Sequence, residues 1–201
     1  HDWDISYCEF SDGHDGVYLS GSNIRFHHNW VDALQDDGIY VSAPTPWFNT
    51  SVYIYQNCIT SGITAIGAHA RGGPGGDIHV FRNVIDLRKA LQWERPSPGA
   101  PQGRFWHGHS VFFMHGSGRL LHLEAMHFYQ NTVLFRSIHY AGATYASMLP
   151  GVPRRSFNNL FLYEGSLLRP FAIPDSEKYD LQMDGNLHWH ITQGDMPLTP
   201  M

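Results

Sequence analysis

A six-residue pattern recurs 22 positions apart near the start of the chain, and it constrains the fold more than any other feature of the sequence. Residues 15–20 read DGVYLS and residues 37–42 read DGIYVS, so an aspartate, a glycine, an aliphatic residue, a tyrosine, a second aliphatic residue and a serine return in the same order. Self-similarity at a fixed period of about 20–50 residues is the sequence signature of a repeat architecture. We therefore interpret the chain as a series of equivalent structural units.

A second repeat runs further along the chain and places a polar residue, usually asparagine, inside a short apolar segment. These asparagine slots are Cys8, Asn29, Asn57, Asn83, Asn131, Asn159 and Asn186, at successive intervals of 21, 28, 26, 48, 28 and 27 residues. The 48-residue interval is either two units or one unit with a long excursion, because residues 110–116 resemble a strand and residues 87–105 resemble a loop. An inward asparagine at a turn can bond backbone groups and the asparagine of the next unit, so we interpret the slots as a structural ladder.

The units have the period and composition of β-strands. Apolar residues follow a period of two in segments such as VYIY and IHVF, and glycine, asparagine and proline separate these segments. The sequence therefore predicts an all-β fold, a parallel β-solenoid of about seven or eight coils, as a single domain over residues 1–201 with a long loop insertion at 87–105. Neither end shows an amphipathic cap for the exposed sheet edges, so we expect the chain to be a fragment of a longer solenoid.

Composition argues against two classes of partner. A net charge of −5 with no basic cluster gives no support for nucleic-acid binding, and no apolar run reaches the length of about 18 residues that suggests a membrane span. Cys8 and Cys58 would lie two coils apart, which is too far for a disulfide bond. We expect both thiols to be free and mostly buried.

The asparagine-bearing strands and the DGV and DGI turns resemble the right-handed parallel β-helix proteins of the pectate-lyase-like superfamily. The resemblance is clearest over residues 4–85 and 121–190. It implies a right-handed parallel β-helix, and most members of that superfamily are polysaccharide lyases or glycoside hydrolases, with tailspikes and adhesins among the others. A secreted, periplasmic or cell-surface location is implied by this resemblance alone.

Within that superfamily, HDGV and QDDGI are similar to the acidic turns of polygalacturonase-type hydrolases. Those enzymes carry an Asn-Thr-Asp motif, an Asp-Asp pair about one coil later, and then Gly-His-Gly and Arg-Ile-Lys on following coils. Asp15 matches the first aspartate, and Asp36 and Asp37 match the pair. The sequence departs from this pattern on the next coil, where Ser61 stands at the position of the histidine, and no Arg-Ile-Lys follows.

The two turns supply the predicted catalytic residues His14, Asp15, Asp36 and Asp37. Residues one coil apart stack at about 4.7–4.9 Å, which places Asp15 over Asp37 and His14 over Asp36. Carboxylates at that distance repel unless they share a proton, which creates a general acid, or hold a cation, so Asp15, Asp36 and Asp37 are also candidate calcium ligands. If the strand runs unbroken through Gly38, Asp37 points inward and Asp36 outward. The alternative is that each aspartate before a glycine only forms an Asx turn.

A further set of residues is predicted to bind the substrate, because aromatic rings pack on sugars and cations pair with carboxylates. The set is Tyr18, Tyr40, His69, Arg71, Arg88, Lys89, Trp93 and Trp106. Half of it lies in or next to the loop at 87–105, and a loop of that length in a tight repeat is usually functional or disordered. The alternative is a lid that covers one face of the solenoid with its tryptophans.

We expect a carbohydrate-active enzyme that cleaves an extracellular polysaccharide, either a glycoside hydrolase or a polysaccharide lyase. In the hydrolase, Asp36 or Asp37 is the general acid, and the other one or Asp15 activates water. In the lyase, the aspartates hold calcium, and Arg71, Arg88 or Lys89 abstracts the proton. The alternative is a non-catalytic glycan-binding or structural module. The 14 histidines raise a third hypothesis, a metal-binding module, which requires at least two imidazoles to converge. The sequence specifies neither the glycan nor the oligomeric state.

Overall fold

The computed structural model describes residues 1–34, 36–43, 50–60, 64–70, 77–88, 90–94, 98, 104–107, 110–114, 125–135, 153–164, 181–191 and 194–195. All regular structure within these ranges is β-strand. They contain no helix that has the length and the apolar character to cross a membrane.

Three sheets contain almost all of the strands. Sheet A consists of β1 (Asp4–Ser6), β4 (Ser22–His27), β7 (Thr50–Tyr55), β10 (Asp77–Phe81), β15 (Ala125–Tyr129), β17 (Arg154–Phe157) and β19 (Leu181–Asp184). Sheet B consists of β2 (Glu9–Ser11), β5 (Trp30–Asp32), β8 (Cys58–Thr60), β11 (Val84–Leu87), β16 (Thr132–Phe135), β18 (Leu160–Tyr163), β20 (Leu187–His190) and β21 (Gly194–Asp195). Sheet C consists of β3 (Val17–Leu19), β6 (Asp37–Ala43), β9 (Thr64–Ala70) and β14 (Ser110–Met114).

The chain visits these sheets in rotation. From β1 to β9 it passes three times from sheet A to sheet B to sheet C, and each strand pairs in parallel with the strand that occupies the same sheet one unit later. Only β21, which folds back on β20, departs from parallel pairing in these sheets over the described residues. The protein is therefore all-β and built from parallel sheets, a topology compatible with the predicted solenoid.

Alternating apolar side chains form the core between the sheets. In sheet A, Phe26, Ile54, Val80 and Phe128 are in register on four successive strands, and each is at most 4% exposed. The residues directly before and after them on each strand, such as His79 and Tyr129, face outward and are half-buried or exposed. Removal of apolar surface from water at about 25 cal/mol per Å² makes this inner column the main source of stability for the sheet.

The turn from sheet A to sheet B contains the predicted ladder. The backbone N–H and side-chain Nδ2 of each slot asparagine from Asn29 to Asn159 donate to Oδ1 of the next slot asparagine, at 2.9–3.2 Å. Cys8 begins the ladder through its backbone N–H, which donates to Asn29 Oδ1. The residue before each slot has a positive φ of 54–64°: Tyr7, His28, Gln56, Arg82, Gln130, Asn158 and Gly185. A left-handed backbone costs a non-glycine residue about 1–2 kcal/mol, so the ladder stabilises a turn that the backbone alone disfavours.

The ladder also resolves the 48-residue interval. Asn83 donates directly to Asn131, and β10 pairs with β15, so the interval is one unit with an excursion. Within the excursion β14 joins sheet C beside β9, as its strand-like sequence predicts. The segment predicted as a loop at 87–105 begins at the last residue of β11 and includes β12 (Ala90–Glu94), which pairs antiparallel with β13 (Arg104–His107).

The expectation of buried thiols is wrong. Cys8 and Cys58 are free but exposed. Cys58 follows Asn57 directly and is in register with Trp30 and Val84, which are 54% and 46% exposed. The position after a slot asparagine therefore faces solvent.

Candidate functional site

The acidic turn, His14, Asp15, Asp36 and Asp37, lies where the chain enters sheet C. Val17 is in register with Ile39, so the repeat aligns His14 with Asp36 and Asp15 with Asp37. Two backbone hydrogen bonds hold this alignment: Asp36 N–H donates to the His14 carbonyl at 2.8 Å, and Gly16 N–H donates to the Asp37 carbonyl at 2.9 Å. Two successive units thus bring the four predicted catalytic residues to one corner.

Three of the four side chains converge. His14, Asp15 and Asp36 each offer one ligand atom, and these atoms lie within 4.8 Å of one another. His14 Nδ1 is 3.3 Å from Asp15 Oδ1, and the His14 side chain is 63% exposed. Two carboxylates beside an imidazole can exchange a proton or bind a cation.

Hydrogen bonds fix the orientation of the Asp15 carboxylate. The Tyr18 hydroxyl donates to Oδ2 at 2.6 Å, and the Asp37 backbone N–H donates to Oδ1 at 3.3 Å. The hydrogen bond to Asp15, followed by burial, raises the pKa of Tyr18 to about 12. Tyr18 is therefore a neutral phenol at physiological pH, and it acts as a hydrogen-bond donor in this site rather than as a base.

Asp37 differs from its neighbour Asp36. Asp37 is only 1% exposed, whereas Asp36 is half-buried, in agreement with the predicted alternation along this strand. A Cβ atom added at Gly67 would lie 2.7 Å from Asp37 Oδ2 and 2.9 Å from Tyr40 Cδ2. Glycine at position 67 therefore leaves the space that the Asp37 carboxylate occupies beside the Tyr40 ring.

Two tyrosines extend the site along the outer face of sheet C. Tyr18 and Tyr40 are in register, and their ring centroids lie 4.7 Å apart with an interplanar angle of 36°. Tyr18 is 60% exposed. Its ring offers an accessible aromatic surface immediately beside the carboxylates, and such surfaces pack well against the apolar faces of sugars.

Among the remaining predicted substrate-binding residues, Arg88 has a described side chain, and this side chain is not part of the acidic turn. Arg88 follows β11 of sheet B and donates to Asp86 and Glu164, each at 2.7 Å. These two carboxylates raise the pKa of Arg88 above its usual range, which works against a role as a general base. His69 is in register with Ser42 in sheet C, and Trp93 and Trp106 lie in β12 and β13, but these three side chains are outside the described set. Arg71 and Lys89 lie outside the described residues altogether.

A second group of candidate ligand side chains was not identified from the sequence. Asp77, His79 and His127 bring ligand atoms within 4.8 Å of one another on the outer face of sheet A, and we call them the histidine cluster. His79 and His127 each stand four positions before a slot asparagine, Asn83 and Asn131 (83 − 79 and 131 − 127). That equivalence is the signal that could have identified the pair once the 48-residue interval is known to be one unit.

Comparisons of the chain with protein-family models, with curated proteins and with solved structures find no match.

Proposed function

We propose that the protein is a carbohydrate-active enzyme that cleaves a polysaccharide at the acidic turn. The observation that carries this proposal is the convergence of His14, Asp15 and Asp36 at a corner where His14 is well exposed. Like charges at this distance destabilise a fold, so the arrangement is typical of a site completed by a proton, a substrate or a cation. The polysaccharide class rests on the exposed Tyr18 ring and on the resemblance to right-handed parallel β-helix enzymes of the pectate-lyase-like superfamily, which also suggests a location outside the cytoplasm.

Burial divides the roles among the aspartates. Asp37 is 1% exposed, so a substrate cannot reach its carboxylate. Asp15 and Asp36 are only half-buried and are the two carboxyl groups that a substrate can reach. One oxygen of Asp15 and one of Asp36 lie within 4.8 Å of each other, and such a close approach suits the separation of about 5–5.5 Å in retaining glycosidases better than the roughly 6.5–9.5 Å of inverting ones.

The proposed reaction is therefore retaining hydrolysis. Asp36 protonates the glycosidic oxygen while the Asp15 carboxylate attacks the anomeric carbon, so the glycosidic bond breaks as a glycosyl ester forms. Asp36, now ionised, removes a proton from water, which displaces Asp15 and regenerates both groups. The hydroxyl of Tyr18, 2.6 Å from Asp15 Oδ2, holds the nucleophile in its orientation.

The acidic turn is less suited to calcium-dependent elimination. Calcium prefers six to eight oxygen ligands, and the group that converges includes the imidazole of His14 in place of the Asp37 carboxylate. Arg88, one of the candidate bases of the lyase mechanism, is paired with two carboxylates. We therefore favour the hydrolase over the lyase.

The test compares wild-type protein with Asp15→Asn and Asp36→Asn on a panel of uronic-acid and neutral polysaccharides. We expect wild-type protein to release reducing ends without an unsaturated product, and each variant to lose about 10²–10⁴-fold in turnover. Asp184→Asn, an exposed aspartate in sheet A, is the matched control and should keep full activity. A calcium-selective chelator should have no effect.

Other outcomes contradict this mechanism in distinct ways. An unsaturated product that requires calcium would establish the lyase instead. Glycan binding without cleavage would support the second candidate, a non-catalytic glycan-binding module. That candidate is favoured by one observation: Asp15 accepts hydrogen bonds from Tyr18 and from the Asp37 backbone, as an aspartate in a structural turn does.

A further inference from the structure

The histidine cluster is built on two adjacent parallel strands of sheet A. Asp77 and His79 are on β10, and His127 is directly in register with His79 on β15. All three side chains belong to the outward-facing set of these strands, whereas the intervening Ile78 and Val80 are 1% exposed. The cluster is separate from the acidic turn, which belongs to sheet C.

The distances within the cluster suit a small divalent cation. His127 Nε2 lies 3.2 Å from Asp77 Oδ1. Two ligands at the 2.0–2.1 Å typical of zinc are about 3.3 Å apart when the geometry is tetrahedral, so this pair already has the required separation. The ring of His79 stacks on that of His127 with centroids 4.4 Å apart and planes within 7°. His79 also offers a ring nitrogen within 4.8 Å of the ligand atoms of Asp77 and His127.

The ring of His79 lies between two other aromatic rings. It is half-buried and stacks on His127 on one side. Tyr53 stacks on the other side of His79 at 5.1 Å, which limits the ring to positions near the cluster.

We propose that Asp77, His79 and His127 bind a zinc-type divalent cation, with a fourth coordination position open to the adjacent groove. Two imidazoles and one carboxylate are a common ligand set for zinc that retains an open position. Calcium and magnesium prefer oxygen ligands, so the set discriminates against them. This site is independent of the glycosidase mechanism proposed above.

The groove beside the cluster indicates what the open position would accept. It has a volume of about 330 Å³ and is lined by His79, His127, Tyr129, Gln130, Arg155, Phe157 and Asn158. Arg155 is exposed and in register with His127 on the next strand, so it adds a positive charge on the far side of the groove. A ligand with an anionic oxygen, such as a carboxylate, would contact both the cation and the guanidinium.

A calorimetric titration of the metal-free protein with zinc tests the site. The variants His79→Phe and His127→Phe remove a ligand nitrogen but keep a ring in the stack, as Phe81 already does in the neighbouring column. We expect each variant either to lose one bound zinc ion or to bind zinc at this site about 100-fold more weakly. The reason is that loss of an outer-shell partner alone already lowers metal affinity about 10–100-fold. Calcium and magnesium should give no binding at this site.

His27→Phe is the matched control. His27 also faces outward, stacks on Tyr55 at 4.7 Å and bonds Asp4 through Nε2, but its Nδ1 faces His28 instead of a shared centre. Zinc binding should be unchanged in this variant. Unchanged stoichiometry and affinity in both His79→Phe and His127→Phe would overturn the proposal, as would an equal loss in His27→Phe. If neither phenylalanine variant folds, Asp77→Asn replaces a side chain that is 55% exposed and should weaken binding about 10-fold.

Discussion

Two turns of the repeat stack polar side chains from unit to unit, and they differ in what those side chains contact. The turn from sheet A to sheet B places asparagines such as Asn57 and Asn83 in the interior, each at most 3% exposed. Each of them donates to a backbone carbonyl of the preceding unit and to the side chain of the next slot asparagine. The turn into sheet C places Asp15 and Asp36 at a partly exposed corner, where the two carboxylates approach each other beside His14.

The difference separates structural repetition from functional repetition. An amide carries both donors and acceptors, so identical residues can bond each other along the whole length of the ladder. Ionised carboxylates are acceptors only, and a stack of them gains nothing from its own repetition. The asparagine slot therefore recurs in nearly every unit, whereas the acidic turn is confined to two units within the described residues.

The largest expected effect comes from breaking the buried turn. Asn83→Ala removes the acceptor of the buried Asn57 backbone N–H, one of the two acceptors of Asn57 Nδ2, and the side-chain donor to the Ile54 carbonyl. We expect a loss of about 3–5 kcal/mol in the free energy of unfolding, measured by denaturant titration. Val84→Thr, at the exposed next position, should stay within about 0.5 kcal/mol. An equally small effect for Asn83→Ala would show that the ladder does not stabilise the fold.

The second prediction concerns His188, a buried ring that can take up a proton and so makes the free energy of unfolding depend on pH. His188 is 7% exposed and stacks on Phe161 at 4.6 Å, and burial lowers its pKa from the ordinary 6.5 to about 4. The unfolded chain therefore binds the proton first, so stability is fully present above about pH 6.5 and falls as the pH decreases toward 4. The loss is at most about 3 kcal/mol.

Denaturant titrations at pH 7 and pH 4.5 measure this effect for wild-type protein and for His188→Phe. The phenylalanine keeps the stack on Phe161 but cannot be protonated, so the variant should lose less stability on acidification than the wild-type protein. Carboxylates contribute equally to both proteins and cancel in the difference. An identical acid-induced loss in the two proteins would remove His188 as the cause.

The smallest effect on stability is expected at the exposed turn. Asp36→Asn keeps the shape of the side chain and places a group beside Asp15 that cannot become negatively charged. We expect the free energy of unfolding to change by less than about 1 kcal/mol, in the stabilising direction, although polysaccharide cleavage is lost. A loss of about 2 kcal/mol or more would place Asp36 with the ladder asparagines as a structural residue, and would weaken the contrast between the two turns.

The local pattern predicted much of this architecture. The slot asparagines predicted the ladder because an amide inside an apolar strand must find partners, and the partner at a fixed interval is another amide. The alternation through Gly38 predicted that Asp37 is buried and Tyr18 exposed, because a strand turns successive side chains to opposite faces. The exposure of Cys58 was missed because Cys58 stands directly after a slot asparagine, at a position whose side chain faces solvent.

The sequence by itself determined the repeat, the strand character of the units and the ladder, because each follows from spacing and from the hydrogen-bonding capacity of single residues. Only the tertiary structure decided that the 48-residue interval is one unit, and with it that His79 lies against His127 beside Asp77. Loop closure depends weakly on length, so the size of an excursion does not reveal which strands pair across it. The bond from Tyr18 to Asp15 and the space at Gly67 are equally tertiary, since they depend on the directions of side chains rather than on their spacing.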